Sequence, residues 1–109
     1  MSQLSQQHCR TDVHALDAAT LHERMRHLSS RWQLARDQKA LIGEFEFDNY
    51  YQTQAFVNAV AYIAHRQDHH PDIEFGYRSC RVRWWTHSVN GISENDLICA
   101  ARIDALEDS

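Results

Sequence analysis

Histidines dominate the polar chemistry of this chain, and several of them lie close together. The 109 residues include eight histidines, and the tripeptide His69-His70-Pro71 follows His65 by one helical turn. A histidine with an unperturbed pKa near 6.5 can donate or accept a proton at neutral pH. Adjacent histidines that leave a helix point in different directions, and a following proline fixes the backbone there. These residues, with His87 further along, form a candidate acid–base site.

Residue types alone leave two other interpretations of these histidines open. In the first interpretation, they are surface side chains at a helix end, where positive charge interacts favourably with the helix dipole. Alternatively, His65 and His69 at positions i and i+4 share a helix face that binds a metal ion. Histidines without a nearby thiolate are an unusual set for structural zinc, so we predict no metal.

The bulk composition excludes several classes of function. The formal net charge is −4 and the basic residues cluster only briefly, so we expect no direct nucleic-acid binding. No apolar run approaches the roughly 20 residues that cross a bilayer. The first residues contain no apolar signal core, so we expect a cytoplasmic protein with reduced cysteines, of which Cys99 lies in the core.

The hydrophobic periodicities predict an α+β domain of residues 17–109, preceded by a flexible polar arm of residues 1–16. The predicted order is helix 17–29, strands 31–36 and 40–47, a helix that Asp48 or Asn49 caps and that reaches residue 67, strands 72–77 and 80–87, and helix 94–106. This order predicts a four-stranded antiparallel sheet with the helices packed on one face. Because so small a core gives limited stability, a homo-oligomer is expected.

Two local patterns concern polar residues outside the histidine tripeptide. Ser93 with Asp96 three positions later resembles a capping box that begins the last helix. Along the last predicted strand, Val82 and Trp84 lie on one face, and Arg81, Arg83, Trp85 and His87 lie on the other.

Residues 69–104 resemble the signature region of pterin-4a-carbinolamine dehydratases. The matching elements in chain order are His69-His70-Pro71, Tyr77, Thr86-His87 and the loop from Gly91 to Asp96. Upstream, Trp32 and the strand containing Phe45 and Phe47 also fit, so that the resemblance covers residues 18–105. Two positions depart from the family pattern, namely His65, where a glutamate is usual, and Trp85, where smaller residues are common.

The resemblance implies elimination of water from a 4a-hydroxytetrahydropterin, with no cofactor and no metal. It implies that His69 and His87 form the acid–base pair and that His70 holds the substrate near its hydroxyl group. A functional link to an aromatic amino acid hydroxylase and a homodimer or homotetramer would follow.

The resemblance also implies a set of substrate-binding residues, namely Asp96, Trp32, Thr86 and Pro71. Two of them have an alternative role. Asp96 either binds or orients, or it only satisfies free N–H groups at the helix start. Trp32 packs either against the pterin ring or within the core.

Two other functions stay open at this point. One is a protein-binding module of the dimerisation-cofactor type, with the sheet face of Arg81, Arg83 and Trp85 as the docking surface. The other is a related role in molybdenum-cofactor pterin metabolism, because the same histidines would serve a similar ring.

Overall fold

The computed structural model describes residues 4–107, and its helices and strands follow the predicted order. The helices are α1 (Ala18–Met25), α2 (Tyr50–Gln67) and α3 (Glu94–Glu107), and the strands are β1 (Trp32–Leu34), β2 (Leu41–Glu46), β3 (Asp72–Phe75) and β4 (Ser79–Trp84). Within the described range, no helix combines the length and apolar character that crossing a membrane requires. The predicted α+β class is confirmed.

The strands form one antiparallel sheet in the order β1-β2-β4-β3. Leu41 at the start of β2 lies opposite Trp84 at the end of β4. On the other side of β4, Asp72 at the start of β3 lies opposite Arg83. The chain before β3 and the chain after β4 therefore meet at one end of the sheet, which brings two of the predicted histidine segments together.

Alternating residues of the central strands supply one face of the core. The buried side chains of β2 and β4 are Leu41, Phe45, Cys80, Val82 and Trp84. Consecutive residues 97–101 of α3 are all buried, although a helix packed only on a sheet would expose one side. The other side of α3 is covered by the N-terminal segment, where Leu4 is buried in the same core.

Backbone hydrogen bonds also join the N-terminal segment, residues 4–16, to the domain. Arg10 donates its N–H to Asn95 Oδ1 at 3.0 Å and accepts from Asn95 Nδ2 at 2.7 Å. Leu16 N–H donates to Ile92 O at 2.8 Å. The prediction of a flexible arm for residues 1–16 rests on polar composition, a property that does not encode backbone contacts of this kind.

The bounds of several elements differ from the predicted ones, and helix α1 and strand β4 both end earlier than predicted. Helix α1 ends at Met25 instead of residue 29 because the next three N–H groups bond three residues back, as in tight turns. Strand β4 ends at Trp84 because its neighbours β2 and β3 begin at that level and offer no further partners. His87 consequently does not close a strand but begins a short 3-10 helix, His87–Val89.

Candidate active site

The end of α2 places His69 at the edge where β3 begins. Asp68 takes the left-handed conformation (φ 52°, ψ 44°), and its N–H bonds the carbonyls of Ala64 and His65. His69 N–H also donates to Ala64 O, at 3.1 Å. These bonds satisfy the last helical carbonyls and turn the chain away from the helix axis. Half-buried Pro71 then favours the extended backbone that leads into β3.

The imidazole of His69 is held on two sides. Its Nε2 lies 2.6 Å from Asp96 Oδ1, across 27 residues of sequence. Its ring stacks on Trp84, with centroids 5.5 Å apart and planes 9° from parallel. The side chain of His69 is 12% exposed. The ring is therefore fixed in orientation while it still reaches solvent.

Asp96 is the fully buried centre of this site, with 0% of its side chain exposed. Its Oδ2 accepts from Thr86 Oγ1 at 2.7 Å and from the Ser93 N–H at 2.9 Å. The predicted capping-box contact is thus present, because an acid in the first turn of α3 bonds the N–H of the cap residue. Its other oxygen contacts His69, so one carboxylate bonds both the start of α3 and the imidazole.

The directions of these hydrogen bonds follow from the number of available protons. The single hydroxyl proton of Thr86 goes to Asp96, so the 2.6 Å contact between Thr86 Oγ1 and Ser93 Oγ has Ser93 as its donor. Ser93 Oγ in turn accepts from the Asn95 N–H at 3.2 Å. His69 then donates from Nε2 to the acceptor-only carboxylate. Nδ1 of His69 is the nitrogen left for exchange with a ligand.

The surroundings of His69 favour its protonated form. Burial lowers the pKa of His69, but the hydrogen bond and the negative charge of Asp96 outweigh it, so that the net pKa is raised above 6.5. Charges on Cys9 and Asp68 act in the same direction. A group with this environment can carry a proton at neutral pH and release it to a bound molecule.

The other predicted site residues lie at the same end of the sheet or in the core. His70 and His87 are exposed, and His87 contacts Trp85 edge-on at 5.0 Å between centroids. Trp32 is buried, and its indole N–H donates to Asp104 Oδ1 at 2.9 Å. The described contacts join Asp96 and Thr86 to His69, but they join none of His70, His87 and Trp32 to it.

Trp84 is a site residue for which the sequence pattern predicts only a position on a strand. It forms the platform under His69, and its indole N–H is buried without a hydrogen-bond partner in the described part of the chain. A buried aromatic on a strand gives no sequence signal for stacking on a histidine.

Metal binding is the other interpretation of these histidines. Between residues 4 and 107, no three His, Cys, Asp or Glu side chains come together in a way that could hold a metal ion.

Comparison with known proteins gives this fold and site a family. A protein of Legionella pneumophila (strain Corby) named "Putative pterin-4-alpha-carbinolamine dehydratase" is 43% identical over 109 residues, covering 96% of each chain. One of the same name from Nitrosomonas europaea is 49% identical over 98 residues, covering 90% of this chain and 85% of the relative.

Two solved structures are similar to most of this chain. A "transcriptional coactivator/pterin dehydratase" from Brucella melitensis has a TM-score of 0.80 and 29% identity, covering 84% of this chain and 97% of that chain. A "pterin dehydratase-like protein" described as a RuBisCO assembly factor in the alpha-carboxysome has a TM-score of 0.63 and 31% identity, covering 76% and 95%. The family model for pterin 4 alpha carbinolamine dehydratase matches residues 14–106, and this chain therefore belongs to that family.

Proposed function

We propose that this chain is a dehydratase that eliminates water from a 4a-hydroxytetrahydropterin and releases a quinonoid dihydropterin. The observation that best supports this proposal is the buried Asp96 carboxylate that orients His69 and favours its protonation. Family membership supplies the substrate class. The site geometry supplies a positioned proton donor of the kind that general acid catalysis requires.

The reaction needs little beyond proton transfer. Electrons from a ring nitrogen expel the 4a-hydroxyl group, and no enzyme nucleophile is required. The protein has to protonate the departing hydroxide and to accept a proton from a ring N–H. His69 suits the first task because its Nε2 proton is bound by Asp96 while Nδ1 stays available. Positioned acid–base groups contribute about 10² to 10⁴ in rate.

We assign the second proton transfer to His87 and a binding role to His70. Both side chains are exposed. His70 lies in the segment after α2 and His87 in the segment after β4, and both segments lie at the same end of the sheet as His69. Asp96 acts as the positioning residue for His69, and Thr86 holds Asp96 in turn. A general acid and a general base that act together give a rate that falls on both sides of an optimum pH.

The test is to generate 4a-hydroxytetrahydropterin with an aromatic amino acid hydroxylase and to follow its decay by absorbance. We expect the wild-type chain to accelerate the decay and His69→Ala to lose about 10² or more of that acceleration. His22→Ala is the matched control, because His22 is exposed on α1 and should leave the rate unchanged. No acceleration by folded wild-type protein, or an unchanged rate in His69→Ala, would refute the proposal.

The physiological setting that we propose is recycling of the pterin cofactor of an aromatic amino acid hydroxylase. A role in molybdenum-cofactor pterin metabolism is the alternative for the same site, because the same acid–base set would serve a similar ring. Deletion of the gene distinguishes the two. Impaired hydroxylase-dependent growth supports recycling, and loss of molybdoenzyme activity supports the alternative.

We further propose that the chain forms a homodimer or homotetramer. The outer face of α2 exposes large aromatic side chains, with Tyr51 at 83% and Tyr62 at 62% exposure. Exposed aromatic groups are enriched where protein surfaces associate. Light scattering coupled to size exclusion measures the mass directly, and a monomer at micromolar concentration would contradict this proposal.

A protein-binding role is the second candidate function. It is favoured by the descriptions of the two similar structures as a transcriptional coactivator and an assembly factor. The sheet face of Arg81, Arg83 and Trp85 is exposed or half-buried, but Arg81 pairs with Glu44 at 2.9 Å and Arg83 with Asp72 at 3.4 Å. A partner from the source cell that binds wild type but not Arg81→Ala/Arg83→Ala would support this role. Retention by the variant would argue against this face.

A further inference from the structure

Two cysteines from opposite ends of the sequence lie side by side behind the His69 site. Cys9 belongs to the N-terminal segment and Cys99 to α3, and their Sγ atoms are 3.6 Å apart. Cys99 is fully buried, whereas Cys9 is half-buried. The separation of 90 residues explains why their spacing in the sequence gives no hint of a pair.

The backbone around Cys9 is fixed by the elements that carry the site. Cys9 N–H donates to Gln67 Oε1 at 2.8 Å, and Gln67 is the last residue of α2. Cys9 Sγ contacts Asn95 O in α3 at 3.6 Å. A disulfide has an S–S length near 2.05 Å, so the two sulfur atoms need to approach by only about 1.5 Å.

The two thiols differ in a way that suits sequential reaction. The hydrogen bond from Cys99 lowers the pKa of Cys9 and outweighs the opposing effect of burial, with the positive charges of His69 and Arg102 acting in the same direction. The contact with Cys9, together with burial, raises the pKa of Cys99. The more accessible sulfur is thus also the better nucleophile, because the thiolate is the reactive form.

We propose that Cys9 and Cys99 form a redox site that a hydroperoxide oxidises to an intramolecular disulfide. The Cys9 thiolate attacks the peroxide, an S–O bond forms while the O–O bond breaks, and hydroxide or alkoxide leaves. Cys99 sulfur then attacks Cys9 sulfur, the S–O bond breaks, and the hydroxide takes the Cys99 proton to give water. The two thiols lose two electrons in all, and the peroxide gains them.

Oxidation at this position acts on the neighbouring histidine. Cys99 follows Asp96 by three residues on α3, and the negative charge of Cys9 helps to raise the pKa of His69. A disulfide has no ionisable proton, so this contribution disappears on oxidation. The inference does not depend on dehydratase activity, because both the disulfide and the titration of His69 can be measured without substrate.

The experiment treats the folded full-length chain with hydrogen peroxide, blocks free thiols and maps peptides by mass spectrometry. We expect one Cys9–Cys99 disulfide in the wild type and in Cys80→Ser, and none in Cys9→Ser. Cys80 is the matched control, since it is a buried cysteine in β4 whose pKa burial raises to about 11. In Cys99→Ala, we expect Cys9 to stop at sulfenic acid, which dimedone traps.

Three results would overturn the proposal. These are a Cys9 sulfenic acid that persists in the wild type, a disulfide that includes Cys80, and a disulfide that joins two chains. If Cys99→Ala fails to fold, the wild type and Cys80→Ser still decide the question. NMR of His69 tests the coupling, for which we expect titration at lower pH after oxidation, and an unchanged titration would refute it.

Discussion

Asp96→Asn tests the central feature of the site, because it keeps the shape of the side chain and removes its charge. Two donors, the Thr86 hydroxyl and the Ser93 N–H, approach one oxygen of Asp96. An asparagine therefore has to place its amide oxygen there and its NH₂ group toward His69. Nε2 of His69 must then accept instead of donate, which moves the proton to Nδ1 and disfavours the imidazolium.

The size of the effect follows from the interactions that are lost. A hydrogen bond to a charged group contributes about 1.5–3 kcal/mol, and here the carboxylate is fully buried. We expect the free energy of unfolding to fall by about that amount, which lowers Tm by on the order of 10 °C in a domain of this size. We expect dehydratase turnover to fall by about 10² to 10⁴, because the oriented acid is lost.

Two measurements separate the effect of Asp96→Asn on the His69 imidazole from its effect on stability. NMR titration of the His69 ring should show a pKa lowered relative to the wild type, since burial still acts and the raising influence of Asp96 is gone. The pH dependence of turnover should shift in the same direction. Asp104→Asn is the matched control, because Asp104 is a partly buried acid on α3 that binds Ser29 N–H and Trp32 Nε1 instead.

We expect Asp104→Asn to lower stability while it leaves the titration of His69 unchanged. If His69 titrates at the same pH in Asp96→Asn as in the wild type, the carboxylate does not control the imidazole. The proposed role of Asp96 as a positioning residue would then be refuted.

Three further predictions concern the fold and its dependence on pH. Gly43→Ala should lower the free energy of unfolding by about 1–3 kcal/mol in urea titrations, because an added Cβ would lie 2.6 Å from Trp32 Cζ3; a neutral effect would contradict this packing. Asn49→Ala should cost about 1 kcal/mol in the same assay through loss of the α2 cap bond to Gln52 N–H, and Asn49→Ser should restore most of it. The raised pKa of His69 should make the free energy of unfolding decrease as pH rises from about 6.5 through the pKa of the folded state, a slope that His69→Ala should remove from urea titrations at several pH values.

The sequence contained enough to predict the architecture because each element carries a local pattern. Leu41, Gly43 and Phe45 alternate with Ile42, Glu44 and Glu46, which is typical of a strand buried on one face, and the burial of β2 follows this alternation. Asn49 was one of two proposed caps and is the residue observed. The strand ends were predicted less well, since β4 stops where its neighbours begin, and the position of a neighbour is not a local property.

The site was partly predictable for the same reason. The histidine pair before Pro71 and the acid three residues after Ser93 are both local signals. Their meeting is not local, because the 2.6 Å contact of His69 with Asp96 spans 27 residues. The stacking of Trp84 on His69 and the contact of Cys9 with Cys99 likewise depend on tertiary packing that no spacing encodes.

Asp96 links the stability of the fold to the geometry of the site. Its Oδ2 is occupied by Thr86 from the loop after β4 and by the Ser93 N–H at the start of α3. These two bonds leave Oδ1 for the imidazole, so the direction of His69 is set by how α3 begins. A carboxylate fixed by the helix backbone and a loop hydroxyl has little freedom to turn. The imidazole that it orients is therefore held in one direction, as efficient proton transfer requires. Substitutions that loosen the start of α3 should therefore lower activity before they unfold the chain.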